Sequence, residues 1–222
     1  MNPIKILTFI SFVIVLSFNV SADSRLDEIV VTAQKKPEGL AEVPISIQVL
    51  SGERISNLGI TSFESLANHV PGLHVTKGAG EWNIYMRGVG SGANKGFSQS
   101  VTQFIDGMPI SKGQQYLAPL LDIERIEVLK GTQGVLFGKN TIGGVINVIS
   151  KSPQIGGDAD SNMSVEFVPD WNTTKFQGAT NISMSDSFAM RLAASYEESD
   201  GWIENQLLNK DEPSTEATSV RA

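Results

Sequence analysis

Asp122-Ile123-Glu124-Arg125-Ile126-Glu127-Val128-Leu129-Lys130-Gly131-Thr132-Gln133-Gly134 continues through Leu136-Phe137-Gly138-Lys139-Asn140 to Gly143-Gly144-Val145-Ile146-Asn147-Val148-Ile149. Two β-rich runs, residues 126–129 and 145–149, flank a glycine-studded connection over residues 131–144. Aliphatic and β-branched side chains favour extended backbone, and the intervening glycines permit turns that a Cβ would obstruct, a structural role rather than a catalytic one. Asp122, Glu124 and Glu127 could be paired carboxylates, but a solvated strand edge accounts for them more simply, so exposure is expected.

Outward from this stretch, residues 44–153 alternate short strands, short helices and glycine-rich turns. Strands are expected over residues 45–50, 73–75, 82–87 and 101–105, with Asp106-Gly107 making a tight turn into Met108-Pro109-Ile110. Ser51 is placed to cap a short helix that ends before Gly59. In Thr61-Ser62-Phe63-Glu64 the Thr61 hydroxyl can accept from the Glu64 amide while the Glu64 carboxylate reaches back to Thr61, a capping box. Phe63, Leu66, Ala67 and Val70 then share one helical face, and Pro71-Gly72 stops the helix.

After Pro153 the period becomes two. Phe176, Gly178, Thr180, Ile182 and Met184 fall on one face, opposite Lys175, Gln177, Ala179, Asn181 and Ser183. Beyond a Ser185-Asp186-Ser187 turn, Phe188, Met190, Leu192, Ala194 and Tyr196 oppose Ala189, Arg191, Ala193, Ser195 and Glu197. Strands of ~10 residues, apolar on one face and polar or small on the other, fit a transmembrane β-barrel. A soluble sandwich alternates in the same way, and the aromatic residues Trp171, Tyr196 and Trp202 near strand ends tilt the reading toward a membrane girdle.

At the other end, Lys5 precedes an apolar run over residues 6–18 that is shorter than the ~20 residues of a comfortable membrane span. Val20-Ser21-Ala22 comes next, so residues 1–22 read as a signal peptide cleaved after Ala22. Those residues hold one lysine and no acid, leaving the mature chain one unit more negative than the −7 of the whole. Beyond the cleavage point, Asp27-Glu28-Ile29-Val30-Val31-Thr32-Ala33 favours extended backbone, and Pro37 and Gly39 separate it from the domain downstream. It reads either as a mobile leash awaiting strand addition by another chain or as the first strand of that domain.

Composition narrows the function. With 17 Lys and Arg against 24 Asp and Glu, a basic nucleic-acid surface is not expected. The absence of cysteine rules out disulfides, thiol nucleophiles and thiolate metal sites, and two histidines limit imidazole chemistry. Gly88-Val89-Gly90-Ser91-Gly92-Ala93 matches a dinucleotide fingerprint, but no amphipathic helix comes after it to meet a pyrophosphate. Residues 134–140 resemble a phosphate loop with one spacer residue too few, and Asn140 replaces the magnesium-binding hydroxyl. His69 and His74 lack a nearby acid cluster and read as structural or exposed. The sequons at Asn162, Asn172 and Asn181 read as coincidence, two of them lying in strand-like segments. No nucleophile, base and oxyanion group converge, so neither an enzyme nor a cofactor is expected.

Residues 122–149 resemble the plug-domain signature of TonB-dependent outer-membrane receptors. Asp27-Glu28-Ile29-Val30-Val31-Thr32-Ala33 resembles their TonB box, Arg87-Gly88-Val89-Gly90 a strand-turn, Phe104-Ile105-Asp106-Gly107-Met108-Pro109 the central hairpin, and Ser199-Asp200-Gly201-Trp202 the end of an early barrel strand. Thr132 stands where many members have proline, a local departure. The resemblance implies an α+β plug domain, a small mixed sheet with short helices, followed by the first antiparallel strands of a transmembrane β-barrel. The expected organisation is signal peptide 1–22, TonB box and linker 23–40, plug 41–153 and incomplete barrel 154–222.

The same resemblance implies function. TonB would add residues 27–33 as a strand and pull. Arg87 and Arg125 would pair with barrel acids to lock plug to wall, and Gly90, Ser91, Asn94, Lys112 and Gln114 would face ligand from the plug loops. Outer-membrane lipid and a scarce nutrient, by default a ferric siderophore, are the other expected partners. Residues 161–222 supply only about three or four strands of ~10 residues each, so this portion is not expected to transport alone. A soluble periplasmic plug-like module and a truncated, non-functional gene product are the alternatives.

Overall fold

The computed structural model describes residues 30–32, 35–77, 82–92, 98–110, 120–156, 160–169, 172–201, 203–206, 210–212 and 214–222. A hairpin of β1 (Val30–Val31) and β2 (Glu38–Gly39) and a 3-10 turn (Leu40–Glu42) lead into β3 (Ile47–Ser51). Helices α1 (Gly52–Asn57) and α2 (Phe63–Ala67) precede β4 (Leu73–Lys77), β5 (Trp82–Met86) and β6 (Val89–Gly90). Strands β7 (Val101–Ile105), β8 (Met108–Ile110), β9 (Ile123–Lys130) and β10 (Gly144–Ser150) come next, with the single-turn α3 (Gly134–Phe137) between the last two. The chain continues into β11 (Ser161–Val168), β12 (Thr173–Ser185), β13 (Phe188–Ser199), β14 (Ile203–Asn205), β15 (Lys210–Glu212) and β16 (Thr215–Arg221).

The central sheet runs β3-β9-β10-β7-β8, with β10 parallel to β7 and every other pair antiparallel. Both its faces are covered, which is why β10 reads as a near-continuous apolar run, while β9 carries Glu124, Arg125, Glu127 and Lys130 among its aliphatic residues. Leu50, Ile126, Val128, Ile146 and Val148 pack toward α1, α2 and β4-β5, where Ile55, Phe63, Leu66 and Ile84 complete a core. Phe104, Leu129 and Val145 form a second core with Val31 and Val43. The Asp106-Gly107 turn forms as expected, both residues taking positive φ (47° and 82°) as the two-residue hairpin loop requires.

A second sheet, β11-β12-β13-β16, is antiparallel throughout. Its burial is inverted relative to a soluble sheet. Lys175, Ala179, Asn181, Arg191, Ala193 and Ser195 are buried toward the first unit, whereas Phe176, Ile182, Met184 and Phe188 point away, Met184 at 66% exposure. The two faces are those read from the alternation, with the polar face inside. Trp171 and Trp202 lie outside the described residues.

Several local expectations are corrected. The capping box sits one residue on: Ser62 Oγ accepts from the Ser65 amide while Ser65 Oγ accepts from the Ser62 amide, so a serine plays the part assigned to Glu64. The α2 helix stops at Ala67, short of Val70. Ser51 does cap α1, accepting from the Arg54 amide. Asp122 and Glu127 are not at a solvated edge. Strand β9 lies between β3 and β10, and both carboxylates are buried against partners, Asp122 against the distant Arg191 and Arg221, and Glu127 against its neighbour Arg125, Asn147 and the distant Thr32 amide.

Candidate functional site: tether dock and wall clamp

Two polar assemblies are built on and beside β9. The first receives the segment after β1. Among the described residues, strand β1 pairs with β2 alone, through Val30 opposite Gly39 and Val31 opposite Glu38, in a two-stranded sheet separate from the central one. Val31 is fully buried among Val43, Phe104, Leu129 and Val145, a burial that contributes about 1.5–3 kcal/mol. Immediately after it, the Thr32 amide donates to Glu127 Oε1 at 2.8 Å and the Thr32 hydroxyl donates to the same oxygen at 3.2 Å. Arg125 Nε donates to Glu127 Oε1 at 2.9 Å and Asn147 Nδ2 to Oε2 at 3.1 Å. Period-two alternation puts Arg125 and Glu127 on one face of β9, with Asn147 opposite Glu127 in register on β10. The expected leash is therefore docked over Val30–Thr32, while Asp27, Glu28, Ile29 and Ala33 lie outside the described residues. A cavity of about 350 Å³ adjoins this dock, bounded by Thr32, Lys36, Pro37, Phe104, Arg125 and Phe137.

The second assembly joins the two sheets. The Asp122 carboxylate accepts from Arg191 Nε at 2.6 Å and Nη2 at 2.7 Å, and from Arg221 Nη2 at 2.6 Å. Arg191 Nη1 also donates to Asp160 at 3.1 Å, giving two guanidinium groups to two carboxylates. Planar forks of this kind hold carboxylates with fixed geometry. Beside them Leu121 packs on Ala179 and Ala193, small residues that let the sheets approach. Asn181 adds a reciprocal pair, its Oδ1 accepting from the Gln154 amide and its Nδ2 donating to the Gln154 carbonyl, both at 2.9 Å. A cavity of about 490 Å³ lies between α1 and strands β11-β12.

The residues singled out in the sequence are scattered. Arg87 is exposed and donates through Nη2 to Ser46 Oγ at 2.7 Å, within the first unit. The ionic partners of Arg125 among the described residues are Glu124 and Glu127, again within that unit. The clamp to the second sheet has the reverse polarity, with the acid on the first unit and arginines on the strands. Gly90 abuts the Tyr85 ring, and Ser91 Oγ contacts Ser98 O and Ser100 Oγ at 3.0 and 2.6 Å. Asn94, Lys112 and Gln114 lie outside the described residues. Among the described residues no group of three or more His, Cys, Asp or Glu is placed to hold a metal ion.

A model of the TonB-dependent receptor plug domain matches residues 39–145, the span containing the central sheet and its helices. This span is a TonB-dependent receptor plug domain. The pesticin receptor of Yersinia pestis is 33% identical over 135 residues, covering 59% of this chain and 20% of its own length. The vitamin B12 transporter BtuB of Vibrio vulnificus is 28% identical over 191 residues, covering 79% of this chain and 28% of its own. The crystal structure of the ferric yersiniabactin uptake receptor FyuA from Yersinia pestis superposes with a TM-score of 0.65 at 25% identity, over 78% of this chain and 27% of that one. FpvA from Pseudomonas aeruginosa, bound to pyoverdine, gives 0.67 at 20% identity over 79% and 23%, a likeness of fold. The chain thus spans between 20% and 28% of the length of these relatives. In family terms the first unit is the plug, and β11, β12, β13 and β16 are antiparallel strands of the kind that begin the barrel.

Proposed function

We propose that this chain is the plug and first barrel strands of an outer-membrane receptor that imports a scarce small nutrient using work supplied by TonB, with residues 1–22 a cleaved signal peptide. The observation that carries the reading is the inverted burial of β12 and β13, a polar face on the plug and an apolar face turned away, combined with the arginine grip on Asp122. A sheet surrounded by lipid and filled by a folded plug has that arrangement.

TonB would engage residues 27–33 by strand addition, which needs backbone donors and acceptors more than particular side chains. Asp122, Arg191 and Arg221 would hold plug to wall while the tether is pulled. Gly90, Ser91, Asn94, Lys112 and Gln114 remain the proposed ligand-facing plug positions, and a ferric siderophore is the proposed cargo, in keeping with receptors such as FyuA. No catalytic step is needed, because the membrane has no ATP of its own and the work arrives mechanically.

The test is uptake by cells carrying the intact gene, using radiolabelled ferric siderophores and cobalamin with and without functional TonB. Expected is TonB-dependent accumulation of one ligand class, abolished by Val30→Pro. Uptake that persists without TonB, or a chain found only in the soluble periplasm, would overturn the reading.

A further inference from the structure

We propose that Gln103 is a built-in weak point of the plug core, a buried amide that favours parting of the β4-β5-β6 layer from the central sheet. This rests on the reading just proposed, in which a plug that fills the lumen has to loosen before cargo passes.

Gln103 lies in the middle of β7 with no exposed surface, and among the described residues neither its Nε2 nor its Oε1 has a hydrogen-bond partner. Its place in the sheet suits an aliphatic side chain. Period two puts Val101, Gln103 and Ile105 on one face of β7, and Val101 and Ile105 pack into the core shared with Ile84 and Met86 of β5. In register, Gln103 stands between Ile146 of β10 and Ile110 of β8, both packed in that same core. An amide desolvated there without a bond is less stable than an aliphatic side chain of its size.

The penalty is relieved when the layers separate, because water then reaches both amide atoms. Strands β4, β5 and β6 form a sheet of their own. At the level of Gln103 they meet the central sheet through aliphatic packing and through a long bond, the Ile84 amide donating to Gln99 Oε1 at 3.4 Å. The neighbouring polar side chain on β7 is satisfied instead: Thr102, on the opposite face, donates its hydroxyl to the Asn140 carbonyl at 2.6 Å. Opening on the Gln103 side therefore breaks a weak bond and hydrates an orphaned amide, which shifts the opening equilibrium by about tenfold.

Gln103→Met and Gln103→Leu nearly keep the volume and remove the amide, and both are made in the full-length receptor in outer membranes. The Ile84 amide reports parting directly, since its acceptor lies across the plane. Expected in both variants is hydrogen exchange at Ile84 slowed about tenfold, with slower TonB-dependent uptake of radiolabelled ferric siderophore or cobalamin, whichever the intact receptor accumulates, and unchanged binding of it at the cell surface. Thr102→Val, which strands a carbonyl on the other face, should not slow exchange at Ile84. Exchange at Ile84 that is unchanged or faster in both apolar variants overturns the proposal. So does failure of both to fold, because an amide without a partner cannot be what holds the core together. Slowed exchange with undiminished uptake leaves the weak point standing and refutes its use in import.

Discussion

Arg191 grips Asp122 with two prongs, Nε to Oδ2 at 2.6 Å and Nη2 to Oδ1 at 2.7 Å, joining residues 69 apart in sequence. Both side chains are almost fully withdrawn from solvent, at 3% and 1% exposure. Removing Asp122 leaves the buried Arg191 with only the half-exposed Asp160 and takes the acid from Arg221, a cost toward the lower end of about 3–5 kcal/mol, whereas removing both Asp122 and Arg191 costs less. Asp122→Ala is therefore expected to loosen the plug from the wall, and adding Arg191→Met to restore much of the loss. Protease sensitivity of the plug in the assembled receptor measures both.

Gly144 opens β10 at φ +152°, and a Cβ there would lie 2.4 Å from Met86 Sδ and 2.5 Å from the Leu129 carbonyl oxygen. Gly131 also has positive φ, +104°, but with nothing within 4 Å of its Cβ position. Gly131→Ala should cost about 1–2 kcal/mol from backbone strain alone. Gly144→Ala adds overpacking and should cost about 1–3 kcal/mol more. Denaturant midpoints of the two variants give the comparison, and equal losses would refute the packing argument.

Phe176, Ile182 and Phe188 occupy successive places on the outward face of the β12-β13 hairpin. Arginine placed at each should cost about 2–4 kcal/mol near the bilayer midplane and about 0–1 near an interface. The folded fraction recovered in outer membranes should therefore dip at one position of the series. A flat series would mean that this face meets water.

Burial, and the neighbouring Arg87 charge after it, hold the Lys130 ammonium below its ordinary lysine range. Between the lowered value and the ordinary one the unfolded chain binds more protons than the folded one, so plug stability rises with pH across that alkaline window. Lys130→Gln should flatten the rise. The substitution also loses the 3.2 Å bond from Nζ to Gln48 Oε1, and solvent screens the site, so its net effect near neutral pH should stay under about 1 kcal/mol. Urea titrations at neutral and alkaline pH test both statements.

What the sequence disclosed was governed by short-range chemistry. The Ser51 cap, the Asp106-Gly107 turn and the two faces of residues 175–196 are written within a few residues of where they act. The carboxylates were misread for the opposite reason. Nothing near Glu127 announces that Thr32 will arrive from 95 residues upstream, and nothing near Asp122 announces Arg191 or Arg221. The one available hint was Arg191 on the polar face of a strand, a cation in need of an acid. The β1-β2 hairpin was illegible because two-residue strands carry no period.

The order of strands in the plug also governs when it can form. Ile47 must find Leu129 and Val101 must find Gly144, while β9 and β10, the strands that lie between, are delivered last. A ribosome releasing this polypeptide from its amino end therefore emits every residue ahead of Ile123 before the first of those middle strands begins. Such long-range topology is slow to assemble. The nascent plug accordingly stays an open chain until both middle strands have emerged.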